Sequence, residues 1–479
     1  MPTEKTSAHA FRVALLAIGV YAVAVWARWL GAPIANVLGD SLGPWWTAFG
    51  LPTRWEGHSP IYGWASGLPH ALLLPLATSL DSAIRGLLAL HALAAPIVVL
   101  VILRLRAQAW LSAALAGLLV ALDPGLIETA LSGHKGYLAP VWVGLITLGV
   151  VYRRTRWGAI LACVAAACAI QTHPLATASL PFVALLDWRG RRARIGGGLG
   201  ALLLVPFVHQ VATQPLTTDG GTQIDWTTAL PAFLQQGGGT AGLILTLPLL
   251  VAFLPAKPPH PQHEGPPALI PRNIARCTLL AFTALFVIGI SLGYLRDHHL
   301  RLLTIPALAC LSGLCTRWIA LAALAFRLPA PDLPAPDHPH RPGTLALTTQ
   351  ITDALPQRGT LMVDGIWLSS TPAAEPSGVM LDRVLRGGSQ DALGPGDQLI
   401  LIVSGERVDL APYRSSARLL QSGDRHVLLQ GTTESLKPEI TQLCETNPRL
   451  GGAGDALGVF RPDLRDDTIR SWHAPCNGG

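Results

Sequence analysis

Up to about residue 328 the chain is a succession of apolar runs, most of them near the length that crosses a bilayer. This limits the possible folds more than any other feature. A helix needs about 20 apolar residues to span the hydrocarbon core, and only helices or closed barrels satisfy their backbone groups there. Spans are expected near 11–30, 83–103, 109–123, 137–152, 157–171, 174–187, 195–212, 238–255, 276–295, 300–316 and 317–328, which makes about eleven. The stretch 66–82, "SGLPHALLLPLATSLDS", is apolar but broken by Pro69 and Pro75, and reads as an interfacial or re-entrant helix. Only 13% of the residues are charged and mean hydropathy is +0.41, whereas a soluble chain carries about a quarter charged residues. The expected fold class is therefore an α-helical polytopic membrane protein.

The charges divide with the hydropathy. The part before residue 329 is net positive by roughly eleven and the remainder net negative by roughly five, consistent with +6 overall. Every second loop is basic. These loops carry Arg104 and Arg106, then Arg153, Arg154 and Arg156, then Arg189, Arg191, Arg192 and Arg194, then Lys257 with Arg272, and last Arg317. The opposite loops are Arg-poor, and 213–237 has no basic residue. By the positive-inside rule the N-terminus is cytoplasmic and the tail is exported. If 300–327 were one tilted helix, the tail would be cytoplasmic instead. The basic balance thus serves topology, and no Lys/Arg pattern interleaved with aromatics points to nucleic acid. The Ala, Gly, Pro and Arg richness with few Lys points to a GC-rich bacterial genome, hence to the inner membrane. The first apolar run is too long for a signal-peptide core and reads as a retained span.

Three parts follow: a membrane domain over 1–328, a Pro-rich linker over 329–343 ("PAPDLPAPDHPHRP"), and a soluble domain over 344–479. Pro-dense segments of this kind are semi-rigid spacers. In the tail, 360–368, 397–405 and 426–431 read as strands, with helices expected at 344–355 and 410–420. That alternation predicts a small α/β domain with a mainly parallel sheet. Five of the seven cysteines (Cys163, Cys168, Cys277, Cys310 and Cys315) fall in apolar spans, where a thiol behaves as a small hydrophobe. Cys444 and Cys476 lie in the tail and could pair if it is exported. No Cys/His spacing suggests a zinc site. "GDSLG" (39–43) and "GISLG" (289–293) fit the nucleophile-elbow pattern in letters only, since one follows a span and the other lies inside one.

The first exported loop, 31–65, carries Asp40, Arg54, Glu56 and His58 beside Trp45, Trp46, Trp55, Tyr62 and Trp64. An interfacial aromatic belt with solvated charges accounts for such a composition. The segment "HSPIYGW" (58–64), followed by an apolar stretch and "LDSAIRGLLALHAL", resembles the start of the bacterial GT-C glycosyltransferases. These include protein O-mannosyltransferases and lipid A aminoarabinose transferases. "LDPGLIETALSGHKG" (122–136) is similar to that family's next exported loop, and "HHLRLLTIPALA" (298–309) to its late R/H-Y-L-x-P element. The matches run in order over about 12–316, and the "CAIQTHP" hairpin turn fits them.

The resemblance implies a GT-C-like fold and transfer of sugar from a polyprenyl-phosphate donor to an acceptor, lipid, glycan or protein, at the exported face. Such chemistry needs a carboxylate to deprotonate the acceptor and cations to hold the departing phosphate. The family keeps its catalytic acid at the position of Asp40, which makes Asp40 the expected general base. The family's Asp-Glu pair is Asp40-Ser41 here, with Glu56 as a candidate second carboxylate. For the donor phosphate Arg301 comes first, followed by His298, His299 and Lys135; Arg54, Glu56, His58 and Tyr62 complete the expected substrate site. A basic residue at a membrane boundary also snorkels to headgroups without binding any ligand. His134 and His173 read as loop or cap residues. No cofactor is expected, and a lone Asp does not indicate a divalent cation. Two other readings stay open: a non-catalytic GT-C-like scaffold presenting its tail domain, and a lipid or solute transporter. The scarcity of charge inside the spans, with only Asp123 and Glu128 near span ends, speaks against the transporter.

Overall fold

The computed structural model describes residues 4–32, 44–45, 47–48, 51, 62–131, 137–213, 247–253, 269–291 and 297–313, together with 360–363, 399–404, 409–422, 426–432, 434–446, 458–459 and 470–471 of the tail. Two compact units separate: residues 1–31, 47–69 and 87–334 form the first, and 32–46, 70–86 and 335–479 the second.

Helices dominate the described residues before 314. They are α1 (Glu4–Leu30), α2 (Leu68–Leu73), α3 (Leu80–Ala92), α4 (Ala94–Leu105), α5 (Trp110–Leu122), α6 (Pro124–Leu131), α7 (Ala139–Val151), α8 (Gly158–Thr172), α9 (Leu180–Val183), α10 (Arg191–Thr213), α11 (Leu269–Ser291) and α12 (Thr304–Ala309). Among the described residues four stretches are long and apolar enough to cross a bilayer: Ala8–Leu30, Leu80–Leu105, Arg191–Thr213 and Pro271–Ile288. The pair α5 and α6, bent by 41° at their junction, makes a fifth if it is one span. On α1 the large side chains Phe11, Leu15, Ile18 and Trp26 are each at least 60% exposed. A helix that turns such residues outward is solvated by lipid, and the protein is a membrane protein on this evidence.

Among the described residues the expected count of about eleven spans is not confirmed. The segments α7 and α8 have 13 and 15 residues, and at 1.5 Å per residue they fall short of the roughly 30 Å hydrocarbon core. The expected span 174–187 is a 3-10 turn, Pro174–Ser179, followed by the four-residue α9. Its prolines remove the donors a continuous helix would need. Likewise 300–316 begins as the 3-10 segment Asp297–Leu303 and continues through α12 to a second 3-10 turn, Cys310–Gly313. Only 247–253 of 238–255 is described, as helix, and 317–328 lies outside the described residues. The broken character expected of 66–82 is seen: α2 gives way to the 3-10 turn Leu74–Leu76, and α3 starts afresh at Leu80.

Small residues set how closely the helices approach. α8 packs between α7 and α10. A Cβ on Gly149 of α7 would stand 2.6 Å from the backbone N of Ala162 and the backbone O of Gly158. A Cβ on Gly196 or Gly200 of α10 would stand 2.9 Å from the backbone O of Ala159 or 3.0 Å from that of Cys163. Such contacts replace the hydrophobic effect as the cement of helices in lipid. Backbone atoms cannot move aside as a flexible side chain would. Gly149→Ala is therefore expected to push α7 off α8 and destabilise the protein by about 2 kcal/mol. A drop in the thermal unfolding midpoint in detergent would show it, whereas Gly198→Ala, with nothing within 4 Å of its Cβ, should leave the midpoint in place.

In the second unit the tail forms one six-stranded sheet, ordered β3-β4-β2-β1-β5-β6. The strands are β1 (Thr360–Val363), β2 (Leu399–Ser404), β3 (Leu419–Ser422), β4 (His426–Gly431), β5 (Gly458–Val459) and β6 (Arg470–Ser471), joined by α13 (Ala411–Arg414) and α14 (Lys437–Thr446). The three expected strands are present, but the sheet is not mainly parallel. Among the described residues only β1 and β2 run parallel; the other four pairings are antiparallel. The connections explain this. A parallel pair needs a connection of a dozen or more residues, and 35 separate β1 from β2, whereas only three separate β3 from β4. The expected helix 410–420 is one turn, α13, after which "LLQS" pairs as β3. Leu401, Val403, Tyr413, Val427, Leu428, Leu429, Leu436 and Leu443 are its buried core. The linker 329–343 and the expected helix 344–355 lie outside the described residues, as does Cys476.

Candidate functional site: a buried charge cluster

The segment "VALDPG" (120–125) cannot remain one helix. Pro124 has no N–H to give to the carbonyl of Val120, four residues back. Asp123 instead ends α5 and caps α6, its Oδ1 accepting from the N–H of Leu126 at 2.7 Å. The carbonyls of Val120 and Ala121 are left without helical partners, as at any helix C-terminus.

Arg28, two residues before the end of α1 and fully buried, fills that gap. Its Nη1 donates to the carbonyls of Ala121 and Ala24, both at 3.0 Å, and its Nη2 to that of Val120 at 3.3 Å. The remaining donor, Nε, goes to Nδ1 of His91 at 3.0 Å. Because a guanidinium has only donors, Nδ1 of His91 must be the acceptor, and the imidazole is neutral with its proton on Nε2. That Nε2 is buried with no hydrogen-bond partner among the described residues. The His91 ring stacks on Tyr137 with centroids 6.2 Å apart, and the Tyr137 hydroxyl is likewise buried with no hydrogen-bond partner among the described residues.

Arg301 closes the cluster from the other side. Its Nη1 lies 3.3 Å from Oδ1 of Asp123, with the two side chains 14% and 7% exposed. The guanidinium rests on Gly125, in the space a Cβ would take. Glycine at 125 leaves that space open to the guanidinium; any larger residue would make the flexible Arg301 side chain shift. Among the described residues the cluster thus holds two guanidinium cations, one carboxylate and a neutral histidine, a net charge of one positive. An unbalanced charge in so buried a place is costly unless an anion joins it.

A second polar group lies close in the chain. α8 ends at Thr172, and the His173 side chain caps the following turn by accepting from the N–H of Leu175 at 3.2 Å. Its ring is 4.9 Å from that of His299 and 6.3 Å from that of Tyr62. The Tyr62 segment is held by Gly63 N–H donating to the Gln171 carbonyl at 2.9 Å and by Gln210 Nε2 donating to the Tyr62 carbonyl at 3.3 Å.

Of the expected site residues, then, Tyr62 and His299 meet at His173, and Arg301 pairs with Asp123. His298 lies in the 3-10 segment, with its side chain outside the described residues. Asp40, Arg54, Glu56, His58 and Lys135, and also His134, lie outside the described residues. Among the described residues no group of three or more His, Cys, Asp or Glu could hold a metal ion. Arg28, His91 and Tyr137 were not expected. The signals for them were an arginine at the end of the first span that the charge pattern leads one to expect on the exported side, and a histidine midway along the apolar stretch Leu80–Leu105.

Comparison of the chain with protein-family models, with curated proteins and with solved structures finds no match.

Proposed function

We propose that this chain is a bacterial inner-membrane glycosyltransferase of GT-C type, with about eleven spans, some of them short or broken, and an exported tail. It takes a sugar from a polyprenyl-phosphate lipid and passes it to an acceptor at the exported face, without a metal or other cofactor. The N-terminus is cytoplasmic, which puts the C-terminal end of α1, and Arg28 with it, near the exported boundary. The observation that carries the reading is the net positive charge buried around Arg28 and Arg301. A departing polyprenyl phosphate is the anion such a cluster suits: the Arg301 fork can hold phosphate oxygens in pairs, while Arg28, whose donors are engaged, contributes its charge. Lipid reaches it laterally between helices. Asp40, in the loop that continues from α1, is the general base that deprotonates the acceptor. The neutral His91 and the Tyr137 hydroxyl offer two further donors to the sugar or phosphate.

The test is binding of radiolabelled polyprenyl-phosphate mannose, glucose and aminoarabinose to the protein purified in detergent. Arg301→Ala is expected to lower donor affinity about a hundredfold, some 2.7 kcal/mol. Asp40→Asn should bind as wild type does and fail to transfer. Saturable binding to none of the three donors would refute the proposal. It would favour a second reading, which the closed Arg301–Asp123 pair itself recommends: a non-catalytic scaffold whose buried charges only join helices, presenting the tail domain.

A further inference from the structure

The basic loops that set the topology are gathered at one end of the first unit. Arg104 stands over the Tyr152 ring, 4.9 Å from its centroid, and Arg192 donates from Nη1 to the Arg154 carbonyl at 2.9 Å. These two contacts join the loops 104–109, 152–157 and 184–194. Together they carry nine arginines (Arg104, Arg106, Arg153, Arg154, Arg156, Arg189, Arg191, Arg192 and Arg194) against one acid, Asp187. Asp187 is turned to its own backbone, accepting from the N–H of Arg189 at 3.3 Å. Arg154, Arg156, Arg191, Arg192 and Arg194 are exposed.

Two indoles border this patch. Trp157 is 74% exposed and Trp188 43% exposed, the latter lying against Gly197 of α10. Directly below, α10 turns Ile195, Leu199 and Leu202 outward while Gly196 and Gly200 face α8. Topology needs only that the loops be basic. It does not need them tied together, edged with indoles at headgroup level and continued by an open apolar strip.

We infer that this end of the α8–α10 pair is a binding site for an anionic glycerophospholipid. The phosphate and its charged headgroup lie among Arg154, Arg156 and Arg191, the glycerol backbone lies at Trp157 and Trp188, and the acyl chains run along Ile195, Leu199 and Leu202. The apolar strip commits the occupant to a lipid and not a free phosphate. Each arginine near a membrane surface adds a modest, roughly additive attraction. The site is separate from the Arg28 cluster and does not depend on the glycosyltransferase reading.

The experiment measures retention of dioleoyl-phosphatidylglycerol by the full chain in a neutral detergent, with dioleoyl-phosphatidylcholine and glycerol phosphate as competitors. Native mass spectrometry or a labelled lipid gives the readout. Phosphatidylglycerol is expected to be retained against an excess of phosphatidylcholine, and to be released as sodium chloride is raised. The triple variant Arg154→Gln, Arg156→Gln, Arg191→Gln should bind it about a hundredfold more weakly. That variant spares the Arg192 tie and six of the nine arginines, so the loops stay joined. Equal retention of the two lipids by the wild type overturns the inference without recourse to any variant. So does unchanged affinity in the triple variant, or displacement by glycerol phosphate as readily as by the lipid.

Discussion

Arg28→Met is expected to abolish binding of the polyprenyl-phosphate donor and to lower stability by about 3 kcal/mol. The substitution keeps most of the side-chain length and helix propensity, so the loss is electrostatic and hydrogen-bonding, not steric. Three acceptors lose their donor: Nδ1 of His91 and the carbonyls of Val120 and Ala121. A buried acceptor left unpaired costs about 1–3 kcal/mol, and burying one cation fewer gives part of that back. The Ala24 carbonyl matters less, since it lies four residues back on α1 itself. The net charge among the described residues of the cluster falls from one positive to zero, with Asp123 and Arg301 balancing each other. An anion then gains nothing by entering. Arg28→Lys restores the charge but not the fork; one ammonium cannot reach four acceptors that lie in different directions. It should recover part of the donor affinity and little of the stability. Thermal unfolding and donor binding on the same monodisperse sample separate the two effects. Full donor binding by a folded Arg28→Met protein would remove Arg28 from the site and leave it a helix clamp.

How much of this was legible in the sequence follows from how local each feature is. The four long helices coincide with expected spans because an apolar run declares itself without reference to the rest of the chain. The turn at "CAIQTHP" was legible for the same reason: Pro174 stops α8, and His173 beside it is a local cap. The short α7 and the broken 174–183 segment were not. Their lengths depend on neighbours covering their ends, and apolar composition looks the same in a ten-residue helix and a full span. In the tail, three of the six strand positions were readable from short apolar runs, β3 fell where a helix was expected, and the direction of pairing depends on connections outside those runs. The charge cluster was the least legible part. Arg28 meets His91 across 63 residues and Ala121 across 93, and Arg301 meets Asp123 across 178. Arg301 was reachable only through a resemblance of its surrounding segment, and its pairing with Asp123 was not foreseen. Arg28 was visible only as an exception to the charge rule. Asp123 was noted as an acid near a span end, whereas its part as helix cap and ion-pair partner comes from the Pro124 that follows it.

Gly125→Ala should reproduce the loss of donor binding expected of Arg301→Ala while removing no charge and no hydrogen-bonding group. The added methyl takes the place where the Arg301 guanidinium lies. The guanidinium is the end of a flexible chain, so it swings away while α6 stays where it is. Alanine is the better helix former by up to about 1 kcal/mol, which offsets part of the lost contact with Asp123. Stability should therefore change by less than about 1 kcal/mol, and donor affinity should fall about a hundredfold. This separates function from folding more sharply than charge removal does. Asp123 keeps its cap on Leu126 and Arg28 keeps its carbonyls, so only the position of the second cation changes. The two substitutions should also fail to add: once Gly125→Ala has displaced Arg301, removing Arg301 as well should cost little further affinity. Additive losses would mean that the cation acts from somewhere other than its place on Gly125. Wild-type donor affinity in Gly125→Ala would mean that Arg301 holds α6 to the segment Asp297–Leu303 and leaves the phosphate to Arg28.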